Sequence, residues 1–499
     1  MLDTAVSLLL ERESWPMEVK DLDLLSIQEV RTLVQTAKQA QQKFSEFSQA
    51  EVDEIVRCMA ELAYQESERL ARLAVDETGF GVYEHKVIKN QFASMQVYNS
   101  IKNVKTIGII NEDKEKGLLE IATPVGVVAA LVPTTNPTST TIFKALIAVK
   151  SGNAIVFSPH PSAKRCIMET VAMLSEISYK LGAPEGLISC MTIPTQEGTA
   201  ELMRRSSLIL ATGGSAMVKA AYSSGTPALG VGPGNVPAFI ERSADIPLSV
   251  KRILDSKTFD NGTICASEQA IVTENSIADL VRREFEKQGG YFVEGEDEIK
   301  LAKLIQKPTG GLNPKIVGRS ALKLAEMAGI NVPDGTRVLI CKQKGVGREY
   351  PFSMEKLSTV LAFYAEDNWH KACERCIELL KYGGIGHSLV IHSNNEEVIR
   401  EFALKKPVSR ILVNTPSSQG AIGATTNLAP SLTLGCGAVG GSATSDNVGV
   451  IHLINIRRAV YGIREAEDLV PKKLEERKSS LDIELIAKLV IEKLKNIDL

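Results

Sequence analysis

The residue whose surroundings speak most directly of chemistry is Cys265, in the segment DNGTICASEQ. A thiol becomes a useful nucleophile when positive potential or backbone N–H groups stabilise its thiolate, and a glycine-containing turn just before it can supply that geometry. A lone cysteine is more often a small buried hydrophobe, so residue type alone leaves both readings standing. A second group lies in LVPTTNPTSTTIFKALIAVKSGNAIVFSPHPSAK, from Leu131 to Lys164. A strand is expected to end at Pro133, followed by a polar turn of Thr134, Thr135 and Asn136 and a helix beginning near Pro137. Polar side chains and N–H groups then meet at a helix N-terminus, which suits an anion. Asn136 can there donate its amide to an oxyanion forming on an attacked carbonyl, a contact that lowers a barrier by roughly 3 kcal/mol. It is equally a common turn residue. Ser158 and His160, in SPHP, fall beyond the end of another strand, the usual ligand-binding edge of an α/β sheet, although His160 also reads as an ordinary loop residue. In LILATGGSAMVKAA a strand runs into Thr212, Gly213 and Gly214 and then a helix, and glycines there let a backbone approach a pyrophosphate. The spacing is not the GxGxxG fingerprint, and plain strand-to-helix turns also favour glycine.

The elements that must position these residues follow from hydrophobic period. From Ile27 to Ala74 apolar residues recur at three and four positions between charges, which predicts an opening layer of amphipathic helices. GVVAALVP, NAIVFSP, LILATGG and PAFIE are short β-branched runs, each followed by Gly or Pro or by helical sequence. Alternating strand and helix imply a parallel sheet. KTFDNGTICASEQAIVTENS breaks that rhythm, and a second series starts near Ala270 and continues through RVLICK, TVLAFYAE and HSLVIHS, so a second α/β domain is expected there. Leu412 to Gly449 is rich in Gly, Ser and Thr and low in charge, a composition for packed loops. LVPKKLEERKSS, around Pro471, reads as a charged linker. Beyond it Ile483, Ile486, Val490, Leu494 and Ile497 form one apolar stripe flanked by Leu485 and Leu489, with Ser480 as the expected N-cap. A helix of that length is marginal alone in water and should dock on something.

Composition removes several function classes. The chain of 499 residues interleaves 57 basic with 60 acidic residues for a net charge of −3, which offers no field for nucleic acid. Its apolar runs, such as Val125 to Val132, are too short to cross a bilayer, so no membrane association is expected. The start, MLDTAVSLLLERES, lacks a basic region and a small-residue cleavage site and is not read as a secretory signal. Eight scattered cysteines are too dilute for a disulfide framework, and a reducing cytoplasm fits best. Cys373 and Cys376 have metal-like spacing but sit in a helical pattern with no second pair, so no metal site is expected.

In their order along the chain, ETGFGVYEHKVIKN, PTTNPTST, SGNAIVFSPHP, ATGGSAMVKAAYSSG, GVGPGNVP, SKTFDNGTICASEQ, EKLS, GGIGHS, VNTPSSQG and APSLTLGCG resemble the aldehyde dehydrogenase superfamily. Within it they resemble the CoA-acylating branch, which includes the aldehyde half of aldehyde-alcohol dehydrogenase and the propionaldehyde and acetaldehyde dehydrogenases of microcompartments. The resemblance implies an α/β fold with a Rossmann-type cofactor domain, an α/β catalytic domain and a small oligomerisation element. On that plan residues 1–24 are an N-terminal extension, 25–262 the cofactor-binding domain and 263–435 the catalytic domain. Residues 436–466 return to the cofactor domain and to oligomerisation, 467–480 are the linker, and 481–499 the terminal helix. It implies Cys265 as nucleophile, Asn136 at the oxyanion, and Thr134, Thr135, Thr212, Gly213 and Gly214 at the cofactor. Glu355, in EKLS, would hold the nicotinamide ribose. Ser158 stands where many hydrolytic relatives have a lysine reaching the adenosine ribose, and His160 follows in the acylating pattern. His387 would be a proton carrier or a residue of the CoA pocket. NAD, or NADP, and coenzyme A are the implied cofactor and co-substrate, a small aldehyde the substrate, and a homo-oligomer the assembly.

Two departures matter. Hydrolytic relatives keep a glutamate in an ELGG segment, whereas GVGPGN places Val231 or Gly232 near that position. Without that base a thioester should survive water and pass to a thiol, which needs less help. EKLSTV also lacks the proline that bifunctional relatives carry after the serine, which could shift the loop of Glu355. A hydrolytic aldehyde dehydrogenase and a non-catalytic subunit of the same fold are the alternatives. Short amphipathic helices on linkers act as encapsulation peptides in bacterial microcompartments, which makes residues 481–499 a candidate contact for shell proteins and the microcompartment a candidate location. The alternative is docking on the chain's own subunit or a neighbour, and Leu2 to Leu10 is a competing segment.

Overall fold

The computed structural model describes residues 20–469 and 472–496; Leu2 to Leu10 and Ile497 lie outside the described residues. Two compact units are present, one made of the chain up to Ile107 together with Thr123–Asn455, the other of Gly108–Ala122 and the chain from Ile456 onward.

The larger unit opens with the expected helical layer, Leu22–Phe44, Gln49–Gln65 and Ser67–Thr78. Asp21 caps the first helix, and Ser48 and Glu51 form a reciprocal capping box on the second. Val30, Val34, Ala37 and Phe44 form the buried face, the three-and-four spacing of a 3.6-residue period. Next come five parallel strands in the spatial order Ile188–Cys190, Ala154–Pro159, Val127–Val132, Leu208–Thr212, Ala228–Val231. The order reverses between Val127–Val132 and Leu208–Thr212, so a crevice opens beyond their carboxyl ends, where ligands bind in open α/β sheets.

The second sheet has seven parallel strands in the order Gly290–Phe292, Val338–Lys342, Val360–Glu366, Glu268–Glu274, Val236–Ile240, Gly386–His392, Val408–Val413. Alternate residues feed two cores. Phe239, Val272, Leu339, Ala362 and Leu389 pack on one face, and Ala238, Ile271, Ile340, Phe363 and Val390 on the other. The structure corrects one strand assignment. Val236–Ile240, the PAFIE run grouped with the first series, pairs with Glu268–Glu274 and Gly386–His392 and so belongs to the second sheet. A four-residue loop, Gly232–Asn235, carries the chain between the sheets, too short to register as a change of pattern.

The smaller unit holds a three-stranded sheet ordered Gly108–Asp113, Leu118–Pro124, Ile454–Val460, and the helix Lys472–Lys495. The linker expected at 467–480 is therefore corrected: most of it is helix, and Ser480 lies inside rather than at the cap. Lys, Leu, Glu and Arg are strong helix formers, and proline is well tolerated just before such a run. Ile483, Ile486, Val490 and Leu494 are exposed along it. Among the described residues no helix is long and apolar enough to cross a membrane, and no group of three or more metal-ligating side chains occurs. Cys373 and Cys376 are buried in the helix Trp369–Gly383.

One buried lysine ties the switch point together. Lys144 Nζ donates to Leu131 O at 2.7 Å and to Leu210 O at 2.8 Å, one carbonyl from each strand flanking the reversal. Burial holds its ammonium well below the usual lysine range. Lys144→Met should strand both carbonyls and destabilise the chain by about 2 kcal/mol, read as a lower urea midpoint at unchanged slope.

Candidate active site

The carboxyl ends of the five-stranded sheet and the amino ends of the seven-stranded sheet face one cavity of about 930 Å³. The turns after Val132, Pro159, Thr212 and Val231 supply one wall; the segments before Glu268 and Val360 supply the other. Thr134, Thr135, Asn136, Ser158, His160, Thr212, Gly213, Gly214, Cys265 and Glu355 all line it. His387, buried at the start of Gly386–His392, reaches Cys265 from behind, its Nε2 3.3 Å from Sγ.

Cys265 leads directly into the strand Glu268–Glu274, after a turn in which Asp260 and Asn261 adopt positive φ of 50° and 52°. Its sulfur lies deep while the residue stays partly open to the cavity. Burial, and then Glu355 and Cys436, push the thiol up to about 12, while Arg410 and the residue's own N–H pull the other way. His387 is driven in the opposite sense, down to about 3, by burial and Arg410. Both are neutral near pH 7, so transfer of the thiol proton to the imidazole has to accompany attack by the sulfur rather than precede it. Ser388 Oγ is 3.0 Å from the other ring nitrogen, and Arg410 donates to His387 O and to Gly435 O, which pins this strand to the loop of Cys436.

Asn136 occupies the N-cap position of the helix Pro137–Lys150, yet its side chain makes no capping bond. Its Oδ1 accepts from Lys89 Nζ at 2.5 Å, and its Nδ2 faces Thr135 Oγ1 at 3.1 Å and Thr263 O at 3.4 Å. A turn residue would spend its amide on the local backbone; this one is held by a distant lysine. Lys89, Lys86 and Asp260 are the residues that sequence reasoning missed. Both ammoniums meet Asp260 Oδ2, Lys86 at 3.0 Å and Lys89 in a shorter contact, and Thr263 Oγ1 joins at 2.7 Å. The signal was present in KVIKN, which sets Lys86, Lys89 and Asn90 on one helical face that is buried.

Glu355 Oε1 accepts from Gly234 N at 2.9 Å, and burial raises its carboxyl to about 7. Leu357, two residues on, is held at a positive φ of 47° in the segment that lacks the proline. Ser158 Oγ lies 2.8 Å from Thr199 Oγ1. The dinucleotide expected at the glycine turn fits what is found there. Thr212 Oγ1 is buried with no hydrogen-bond partner, and a Cβ on Gly214 would meet open space. Val231 and Gly232 line the cavity, and Glu355 is the one carboxylate among its described lining residues.

A doubly wound sheet and a second parallel sheet, with a cysteine, an amide and a glycine turn lining the cavity they share, define the class. The sequence pattern of the aldehyde dehydrogenase family matches residues 18–293, more than half of the chain, and the chain belongs to that family. It is 45% identical over 471 residues to the bifunctional aldehyde-alcohol dehydrogenase AdhE of Escherichia coli, covering 92% of this chain and 52% of that protein. It thus spans about half the length of that relative. An acetylating aldehyde dehydrogenase from Geobacillus thermoglucosidasius is similar at 53% identity and a TM-score of 0.88, over 90% of this chain and 99% of that one. A propionaldehyde dehydrogenase from Rhodopseudomonas palustris, solved with bound propionyl-CoA, is similar at 28% identity and a TM-score of 0.78, over 87% and 94%.

Glu355→Gln should separate the charge of this residue from its hydrogen bond to Gly234. Glu355 is protonated well below its value of about 7, so alkylation of Cys265 by iodoacetamide should match wild type in acid. Above it the ionised carboxylate opposes thiolate formation, and the variant should react about threefold faster or more near pH 8.5. Equal rates at both ends would remove Glu355 as an influence on the thiol.

Proposed function

We propose that the chain is a CoA-acylating aldehyde dehydrogenase, converting an aldehyde, coenzyme A and NAD(P)+ reversibly into an acyl-CoA and NAD(P)H through a thioester on Cys265. The observation that carries this reading is that Cys265, with His387 at its sulfur, shares a cavity with Asn136, and that no carboxylate stands there at Val231 or Gly232.

His387 takes the thiol proton, and the sulfur adds to the aldehyde carbon. Asn136 Nδ2 and the Cys265 backbone N–H receive the charge developing on oxygen. Thr212, Gly213 and Gly214 would hold the dinucleotide pyrophosphate, with Glu355 at its ribose; when bound, that cofactor supplies the hydride acceptor. Loss of hydride leaves a thioester on Cys265; His387 gives up the first proton to solvent, accepts the proton of the CoA thiol as that sulfur attacks, and returns it to the departing Cys265 sulfur. Asn136 then serves the second tetrahedral oxyanion as it served the first. Both directions are thioester chemistry, so the reaction runs either way.

Cys265→Ala should abolish NADH formation while leaving the unfolding transition in place. In the wild type, NADH should accumulate with CoA and stop near one equivalent per site without it. Continued turnover without CoA would mean hydrolysis to a free acid. Failure of an electrophile to label Cys265, with no turnover at all, would mean a non-catalytic subunit.

The exposed apolar stripe of Lys472–Lys495 supports docking of this helix on another molecule, with microcompartment shell proteins the proposed partner and a homo-oligomer the proposed assembly. Truncation after Leu469 should leave steady-state rates intact and abolish co-sedimentation with shells. Co-sedimentation of the truncated chain would overturn that location.

A further inference from the structure

The helix Tyr83–Gln91 turns Lys86 and Lys89 into the protein, where one carboxylate serves both. Lys86 Nζ also donates to Thr135 O at 3.1 Å, and Lys89 Nζ to Thr263 Oγ1 at 3.0 Å and to Asn136 Oδ1. Among the described residues no second carboxylate bonds either ammonium, so the cluster carries a surplus positive charge in a dry setting. Burial lowers Lys89 to about 8, while Asp260 and then Cys265 act to keep its charge.

Two consequences follow for Asn136. An ammonium has donors and no acceptor, so the amide atom against it is the oxygen, and a flipped amide would set two donors together. The NH2 must then face the other way, toward the turn that delivers Cys265. A cation on the carbonyl end of an amide also draws electron density from its nitrogen, which makes the N–H groups better donors to a developing negative charge.

We propose that Lys89 is the positioning residue of the oxyanion site: it fixes the Asn136 amide with Nδ2 toward the reacting carbonyl and polarises it. This rests on the reading of Asn136 as oxyanion donor. The surplus charge of the cluster finds its match when sulfur adds to the aldehyde and oxygen becomes negative. The contact therefore favours the transition state over the bound aldehyde and should appear in kcat rather than KM.

The test compares Lys89→Met, Lys89→Gln, Asn136→Ala and the double variant Lys89→Met/Asn136→Ala in the full-length enzyme. Steady-state rates with aldehyde, dinucleotide and CoA are measured alongside unfolding midpoints. Asn136→Ala should lower kcat by about 100-fold, the scale for loss of one oxyanion donor. Lys89→Met should lower it by about 10-fold or more with the aldehyde KM nearly unchanged, and Lys89→Gln, which keeps a donor without the charge, should fall between. The double variant should be no slower than Asn136→Ala, because Lys89 acts through that amide. Losses that multiply in the double variant would overturn the proposal, as would full activity in Lys89→Met, or in Lys89→Gln should the methionine variant not fold. If Asn136→Ala is itself harmless, the oxyanion reading falls and this inference with it.

Discussion

The Asp260 carboxylate accepts from Lys86, Lys89, Thr263 Oγ1 and the Val82 backbone N–H, while its own N–H donates to His85. Through it the helical layer and the turn that delivers Cys265 become one rigid piece. The backbone at Asp260 and Asn261 is left-handed, a conformation that costs on the order of 1 kcal/mol or more per residue and persists only when its surroundings hold it. Gly81 shows how close the fit is: a Cβ there would fall 1.9 Å from Asp260 Oδ1. Two buried lysines and one carboxylate are a poor source of stability, because desolvation offsets much of the attraction. Their value lies in placement.

Placement is also what the two sheets provide. The first offers the carboxyl ends of its strands, where turns are short and N–H groups point outward; the second offers the amino ends of its strands across the same cavity. Cys265 and Glu355 come from the second wall and Asn136, Thr212 and Gly213 from the first, so the thiol and the glycine turn belong to opposite walls. Because the elements are strands packed in dry cores, small displacements of these side chains would require repacking whole layers. The four-residue crossing at Gly232–Asn235 works at that boundary: Gly234 N holds Glu355, and a Cβ on Gly234 would lie 2.1 Å from Cys265 O.

What the sequence made legible was local. Strand ends running into Thr134–Asn136 and into Thr212–Gly214 carried turn and helix-start signals, and the structure gathers those residues in one cavity. Sheet membership was not legible, because Val236–Ile240 has the composition of any buried strand and nothing local records which partners it will pair with. The helix over Lys472–Lys495 was half seen: its apolar stripe was plain, whereas KKLEERKSS read as linker by charge despite its helix propensity. Lys86 and Lys89 share one helical face in the sequence, yet their burial was missed for a different reason. Charged residues on an amphipathic helix read as solvated, and their partner lies 174 and 171 positions away.

The charges of the site bear on the fate of the proposed thioester. Near pH 7 the resting thiol is neutral, His387 is neutral, and Glu355, at about 7, is divided between its forms while its Oε1 is engaged by Gly234. Water has a pKa near 15.7 and must lose a proton to an effective base in order to attack. A thiol, near 8.5, lies about seven units closer to deprotonation, so a fraction of it is already thiolate near neutral pH. In the proposed reaction it therefore needs far less help than water from the side chains around Cys265, and His387, the neighbour at the sulfur, is held a weak base by burial. On that reading the selection of thiol over water rests on the nucleophile's own acidity, and Val231 and Gly232, by bringing no carboxylate to the position of the hydrolytic base, leave water unassisted there.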